Sequence, residues 1–283
     1  MTSVTPGLEN LAQFQKLQFK SAMAHCATCR TYHAVWPYLR ASGAVGGIEA
    51  DEPFLSPILE ELLSRGARDI LLAGSADSGV TALVHRALLK QGYAARLTVL
   101  DRCLTPLQTC REYAQTQAID LTTIQADLAA IPLRTEMDLI IGHSVLPFIL
   151  EDERRGVLSQ MASALKPGGH VLLTVRVAPE NPNKTVRRRL PEEMAQFVTD
   201  GLARHSIELP CPKPVFHSLI SDFYLHRSYH VYRFTDTNTL KNDLESVGLN
   251  VVNVHPLGHG SMDTINAENR PMGWAYVAKR RIA

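Results

Sequence analysis

DILLAGSADSG (Asp69–Gly79) decides the fold: a short apolar run breaks into a loop of small residues. RLTVLDRC (Arg96–Cys103) follows as a second apolar run that ends in an acid. QADL (Gln125–Leu128), DLIIGHSVLPF (Asp138–Phe148) and LKPGGHVLLTVRV (Leu165–Val177) come next, in that order. Strand, glycine loop, helix, strand and acid is the order that holds a nucleotide-like cofactor at the carboxyl edge of a parallel sheet.

Outward from this segment, strands alternate with helices. Ile70–Ala73 reads as the first strand and Gly79–Gln91 as a helix, with Gly92 ending it in a left-handed conformation. Leu97–Leu100 is the second strand, Pro106–Ala118 a helix with its proline in the first turn, and Leu121–Gln125 the third strand. Leu139–Ile141 is the fourth strand, Asp152–Leu165 a helix stopped by Lys166-Pro167-Gly168-Gly169, and His170–Val175 the fifth strand. This alternation predicts an α/β fold with a doubly wound, mostly parallel seven-stranded sheet. Upstream, the Gln-rich start is a mobile or helical arm. PFLSPILEELLSR (Pro53–Arg65) has helical spacing and stops before Gly66. Residues 1–65 are therefore read as an N-terminal helical lid and 66–283 as the main domain. The alternation pauses over about 179–233, read as an inserted cap containing a helix at Pro191–Arg204. Within it DFYLHRSYHVYRF (Asp222–Phe234) alternates enough to predict a strand over part of its length. Thr235–Gly248 reads as a helix capped by Thr235 or Asp236, and Leu249–His255 and Trp274–Ala278 as the last two strands.

Composition bounds the function class. In 283 residues, 45% are apolar and 20% charged, with a net charge of +1, so no global field favours nucleic acid or an anionic membrane. No apolar run is long enough to span a bilayer and no secretory signal is visible. The cysteine count is five, an odd number, so reduced thiols in the cytoplasm are the expectation.

The ordered motifs resemble the class I S-adenosylmethionine-dependent methyltransferases, of the small-molecule type, over roughly Ile70 to Ala278. LKPGGHVLL (Leu165–Leu173) is the strongest single piece, and it gains specificity from following AGSADSG, VLD, QADL and DLIIGH. The resemblance implies a Rossmann-like methyltransferase fold with S-adenosylmethionine as cofactor. It implies that Gly74, Ser75, Ala76, Asp77 and Gly79 carry the methionine moiety, and that Asp101, beside Arg102, accepts the ribose hydroxyls. Asp127 and Leu128 would meet the adenine. The family loop reads acid-x-Gly-x-Gly-x-Gly. Here Ala73 stands at the acidic position and Ala76 or Asp77 replaces the middle glycine. Either Asp77 does the missing acid's work or the methionine end is held differently. A nicotinamide dinucleotide ranks lower, because GSADSG lacks the second glycine of that fingerprint.

Methyl transfer from a sulfonium needs alignment of the nucleophile and sometimes removal of its proton. A base is therefore expected near the end of the fourth strand, and His143 lies there, with Ser144 and Val145 lining the cofactor pocket. His143 serves as this base, as a cofactor contact or as a structural residue. Tyr32 and Tyr229 are alternative bases. In CRTYHAVWPYLR (Cys29–Arg40), Tyr32, His33, Trp36 and Arg40 recur at helical spacing. Tyr32 or Arg40 would touch the methionine carboxylate, and His33 and Trp36 the substrate; the plain alternative is an aromatic packing face. Arg227 and Arg233 would fix a carboxylate substrate. Cys26 and Cys29 form a C-x-x-C with His25 and His33 nearby. A zinc site wants four ligands and would need both local histidines or Cys211, so plain thiols are expected and no metal is assigned.

The expected function is methyl transfer to a nitrogen, oxygen or sulfur of a small metabolite, with no nucleic-acid or membrane partner and a homodimer left open. One alternative is an RNA or protein methyltransferase using Lys184 and Arg187–Arg189. Others are a non-catalytic S-adenosylmethionine-binding regulatory module, or a use of the cofactor other than methylation.

Overall fold

The computed structural model describes residues 14–134, 136–177, 190–226, 234–259 and 272–281. Three helices come first, α1 (Gln15–His25), α2 (Arg30–Ala41) and α3 (Ile48–Ser64). The alternating unit is β1 (Asp69–Ala73), α4 (Gly79–Gln91), β2 (Arg96–Asp101), α5 (Leu104–Gln117), β3 (Leu121–Gln125), β4 (Met137–His143), α6 (Glu151–Ala164) and β5 (Leu165–Val177). Then come α7 (Pro191–Arg204), α8 (Lys213–His226), α9 (Asn238–Ser246), β6 (Leu249–His259) and β7 (Met272–Arg280).

The seven strands lie in the order β3-β2-β1-β4-β5-β7-β6. Strands β1 to β5 are mutually parallel, and β7 runs antiparallel to both its neighbours. Chain order reverses between β1 and β4, so the crevice at their carboxyl ends is the place where such sheets bind ligands.

Alternate residues of β1 feed two cores. Ile70 and Leu72 join the cluster built with α3, α4 and α5, while Leu71 and Ala73 join the one built with α6 and α9. Burial on both faces is why these strands read as continuous apolar runs. A third cluster joins Phe19, Tyr38 and Leu39 of α1 and α2 to Val198, Phe216 and Ile220 of α7 and α8.

Helix α4 and strand β3 span the residues the pattern predicts, and Gly92 ends α4 at φ 65° and ψ 28°. Two readings change. The alternation in Asp222–Phe234 predicts a strand, but Asp222–His226 is the last turn of α8. Phe216, Ile220 and Phe223 fall at helical spacing and are buried together in the third cluster, and that burial overrides the local alternation. Helix α3 starts at Ile48 rather than Pro53, with Glu49 and Asp51 in its first turn, where acids favour a helix N-terminus. Pro53 and Pro57 are carried inside it. The loop LKPGG survives as a bulge: Leu165 pairs with Met137, His170 pairs with Leu139, and Lys166–Gly169 loops out between them. Asp236, one of the two expected caps of α9, accepts hydrogen bonds from the Asn238 and Thr239 amides at 2.6 and 2.8 Å.

Candidate active site

The loop after β1 is held against the end of β2. The Gly74 amide donates to the Leu100 carbonyl at 2.8 Å, and the Ser75 amide to Asp101 Oδ2 at 2.9 Å. Asp101 Oδ1 accepts from the Cys103 amide at 2.7 Å. Burial pushes the Asp101 carboxyl up, against these two N–H groups, which favour its charged form. Each oxygen keeps a further lone pair to accept a ligand hydroxyl. Gly74 is at φ 78°, and a Cβ there would lie 2.5 Å from Val145 Cγ2, so the turn beside β4 admits no side chain. These features fit a ribose-bearing cofactor: an acid at the end of β2, and a backbone cradle at the switch point that a Cβ would fill. Asp127 is exposed at the end of β3 and Oδ1 accepts from the Ala129 amide at 2.9 Å, which fixes a short turn that buries Leu128. Arg102 is exposed beside them.

Asp77 is buried, with Oδ1 accepting from the Gly79 amide at 2.7 Å and Oδ2 paired with Arg40 of α2. Arg40 also pairs with Glu49. A Cβ on Gly79 would meet Asp77 Oδ1 and Ile48 Cγ2, each at 2.9 Å, so this glycine makes room for α3 and the loop acid. Gln18 of α1 donates to the Ala76 carbonyl at 2.9 Å and the His33 carbonyl at 3.1 Å. The N-terminal helices thus sit directly on the irregular loop.

At the end of β4, His143 Nε2 lies 2.9 Å from Asp51 Oδ2. Arg176 of β5 donates to both Asp51 oxygens at 2.8 Å. Burial works to raise the Asp51 carboxyl, but the His143 hydrogen bond and the Arg176 charge outweigh it and hold the group below the usual carboxylate range. Ser144 follows at φ 53°, a left-handed conformation uncommon outside glycine, and its amide donates to Thr174 Oγ1 at 2.9 Å and the Thr174 carbonyl at 3.1 Å. Asp51 and Arg176 were not singled out from the sequence.

Tyr32 stacks on Trp36 with ring centroids 5.3 Å apart. It also meets Phe148, from the turn after β4, edge-on at 5.6 Å and Phe223 of α8 at 5.9 Å. This aromatic group joins α2 and α8 to the segment that carries His143. His33, read as a substrate contact, is buried with Nδ1 at 3.3 Å from Cys26 Sγ. Tyr229, Arg227, Arg233, Lys184 and Arg187–Arg189 lie outside the described residues.

A mostly parallel sheet with a glycine turn, a strand-end acid and a histidine at its switch point is the arrangement at which such α/β folds bind nucleotide-like cofactors. Residues 76–173 match the family model described as a methyltransferase domain. The sheet order and the solved structures that resemble it give the chain a Rossmann-like methyltransferase fold. Among solved structures, it resembles a Burkholderia thailandensis 1,6-didemethyltoxoflavin-N1-methyltransferase with bound 1,6-didemethyltoxoflavin and S-adenosylhomocysteine, at 14% identity and TM-score 0.53, covering 98% of this chain and 92% of that one. A Mesorhizobium loti S-adenosylmethionine-dependent methyltransferase is 18% identical at TM-score 0.53, covering 83% and 100%. The [4+2]-cyclase SpnF is 12% identical at TM-score 0.58, covering 98% and 97%. Comparison of the sequence with curated proteins gives no significant match.

Proposed function

We propose that the protein methylates a small metabolite and that His143 is the base. The observation that carries this reading is the Asp51–His143–Arg176 group beside the cofactor turn, 2.9 Å from imidazole to carboxylate. When bound, S-adenosylmethionine supplies an activated methyl carbon. Asp101 and the Gly74–Gly79 backbone hold and orient it, with Arg40 fixing Asp77 beneath the lid. Asp51 accepts the Nε2 proton of His143, which leaves the basic lone pair on Nδ1. Nδ1 then takes the proton from the nitrogen, oxygen or sulfur that is methylated, and Arg176 keeps Asp51 ionised so that it steadies the imidazolium that forms. Helices α1, α2, α7 and α8 act as one lid, and their shared apolar cluster and the aromatic group at Tyr32 support a substrate of small size. The small-molecule substrate named for the Burkholderia methyltransferase supports the same class.

The test uses methyl-labelled S-adenosylmethionine with fractionated cell extract. The expected result is transfer of label to the fraction freed of protein and nucleic acid, dependent on His143. Label on RNA or protein instead, or cofactor binding without demethylated product across the fractions, would overturn this function.

A further inference from the structure

The C-x-x-C of the sequence gains a partner that its spacing did not reveal. Cys26, Cys29, His33 and Cys103 each offer one ligand atom, and these atoms all lie within 4.8 Å of one another. Among the described residues it is the one such group of metal-ligand side chains. Cys26 Sγ is 3.3 Å from His33 Nδ1, and Cys29 Sγ is 2.9 Å from Cys103 Sγ. Three segments supply them. Cys26 ends α1, and Cys29 and His33 stand one turn apart at the start of α2. Cys103 lies two residues beyond β2 and caps α5.

We infer that these four side chains form a structural zinc site of Cys3His type. Tetrahedral zinc bound through thiolates at about 2.3 Å needs sulfur atoms about 3.7 Å apart. A small outward shift of Cys29 and Cys103 reaches that spacing. Four protein ligands close the coordination sphere, so the ion has no open position and its role is to hold the structure. A disulfide between Cys29 and Cys103 would leave a buried thiol and a buried imidazole converging on it without purpose. The surroundings suit thiolates. The Thr105 hydroxyl lies 3.2 Å from Cys26 Sγ and can donate to it, as outer partners of metal ligands do. An open cleft of about 430 Å³ lined by His25, Thr28, Arg102 and Gln125 reaches Cys26, Cys29 and Cys103, which gives an ion its entry path. Binding would deprotonate the three thiols and release three protons to solvent, while neutral His33 donates a lone pair.

The site's position gives it a purpose. Cys103 is bonded through its amide to Asp101, the acid assigned to the ribose. Cys26, Cys29 and His33 belong to the turn between α1 and α2, and Gln18 of α1 rests on the loop carbonyl of Ala76. The ion would pin the lid to the segment that presents Asp101, adding to the Arg40–Asp77 ion pair and the Phe14–Tyr113 contact that already join them.

The experiment measures metal by elemental mass spectrometry in tag-free protein purified under reduction without chelator, and measures cobalt(II) spectra of the metal-depleted full chain. The expected result is one zinc per chain, lost in Cys29→Ser and Cys103→Ser and kept in Cys211→Ser. Cobalt should give thiolate charge-transfer bands and the intense visible bands of tetrahedral geometry, which tests the native sequence even if a variant fails to fold. Metal-free native protein whose spectrum with cobalt shows no thiolate bands would overturn the site. So would a Cys29–Cys103 disulfide found by mass in metal-free protein that binds no cobalt after reduction. None of these readouts depends on methyl transfer, so the proposed activity and the metal site can fail separately.

Discussion

Asp51 and His143 lie 92 residues apart in the chain and 2.9 Å apart in space. His143→Asn is expected to lower kcat by about 10²-fold or more, the contribution usual for a positioned base, while S-adenosylhomocysteine still binds. Asp51→Asn is expected to lower kcat in the same direction, because the ring loses the acceptor that sets its tautomer. Single-turnover rates and product affinity measured side by side check both. Unchanged kcat with weakened product binding would make His143 a cofactor contact. His143 was singled out from the sequence because it ends an apolar strand, where a base was expected. Asp51 was not, because Pro53 marked the apparent start of its helix and left the acid outside the pattern. Arg176 was hidden in the same way: one charge on an otherwise apolar strand carries no sign of its partner.

The LKPGG element shows how far an element can be read and where reading stops. Its glycines predicted a turn between helix and strand, and Gly168 does adopt φ 80°. What its lysine does needed the fold: Lys166 Nζ reaches Asp69 Oδ2 at 2.7 Å and Asp138 Oδ1 at 2.8 Å, tying β5 to β1 and β4 at the edge away from the site. Asp138 Oδ2 also accepts from the Arg68 and Asp69 amides at 3.0 and 2.9 Å. Asp138→Ala should cost about 1–3 kcal/mol, since it leaves those amides without their acceptor. Asp138→Asn should cost less, because the amide oxygen still accepts. Urea unfolding of the two variants checks the order. For Asp69 and Asp138, burial acts to raise the carboxyls, but Lys166 and their other donors hold both below the usual range. Such groups stabilise the fold fully above the unfolded value of about 4 and lose that contribution as pH falls through the lowered folded values. Acid titration of native stability should therefore show a loss beginning near pH ~4 that is smaller in Asp138→Asn. Helix α8 taught the opposite lesson, since a local alternation gave way to the burial of Phe216, Ile220 and Phe223.

At the scale of the whole molecule, the seven-stranded, mostly parallel sheet followed from the alternation of strands and helices, because its central strands are buried on both faces and leave apolar runs. A helical lid and an inserted cap were each expected, but their joining into one layer was not, because α1 and α2 meet α7 and α8 across more than a hundred residues of intervening chain. No helix among the described residues is long and apolar enough to cross a membrane. The proposed reaction requires that the edge formed by Gly74–Gly79 and Asp101 hold S-adenosylmethionine. Calorimetric titration of the native protein with S-adenosylhomocysteine tests it most directly. The expected result is one-to-one binding that Asp101→Ala weakens by about tenfold or more, the worth of hydrogen bonds to a charged acceptor. No binding by the folded native protein, or equal affinity in Asp101→Ala, would contradict it.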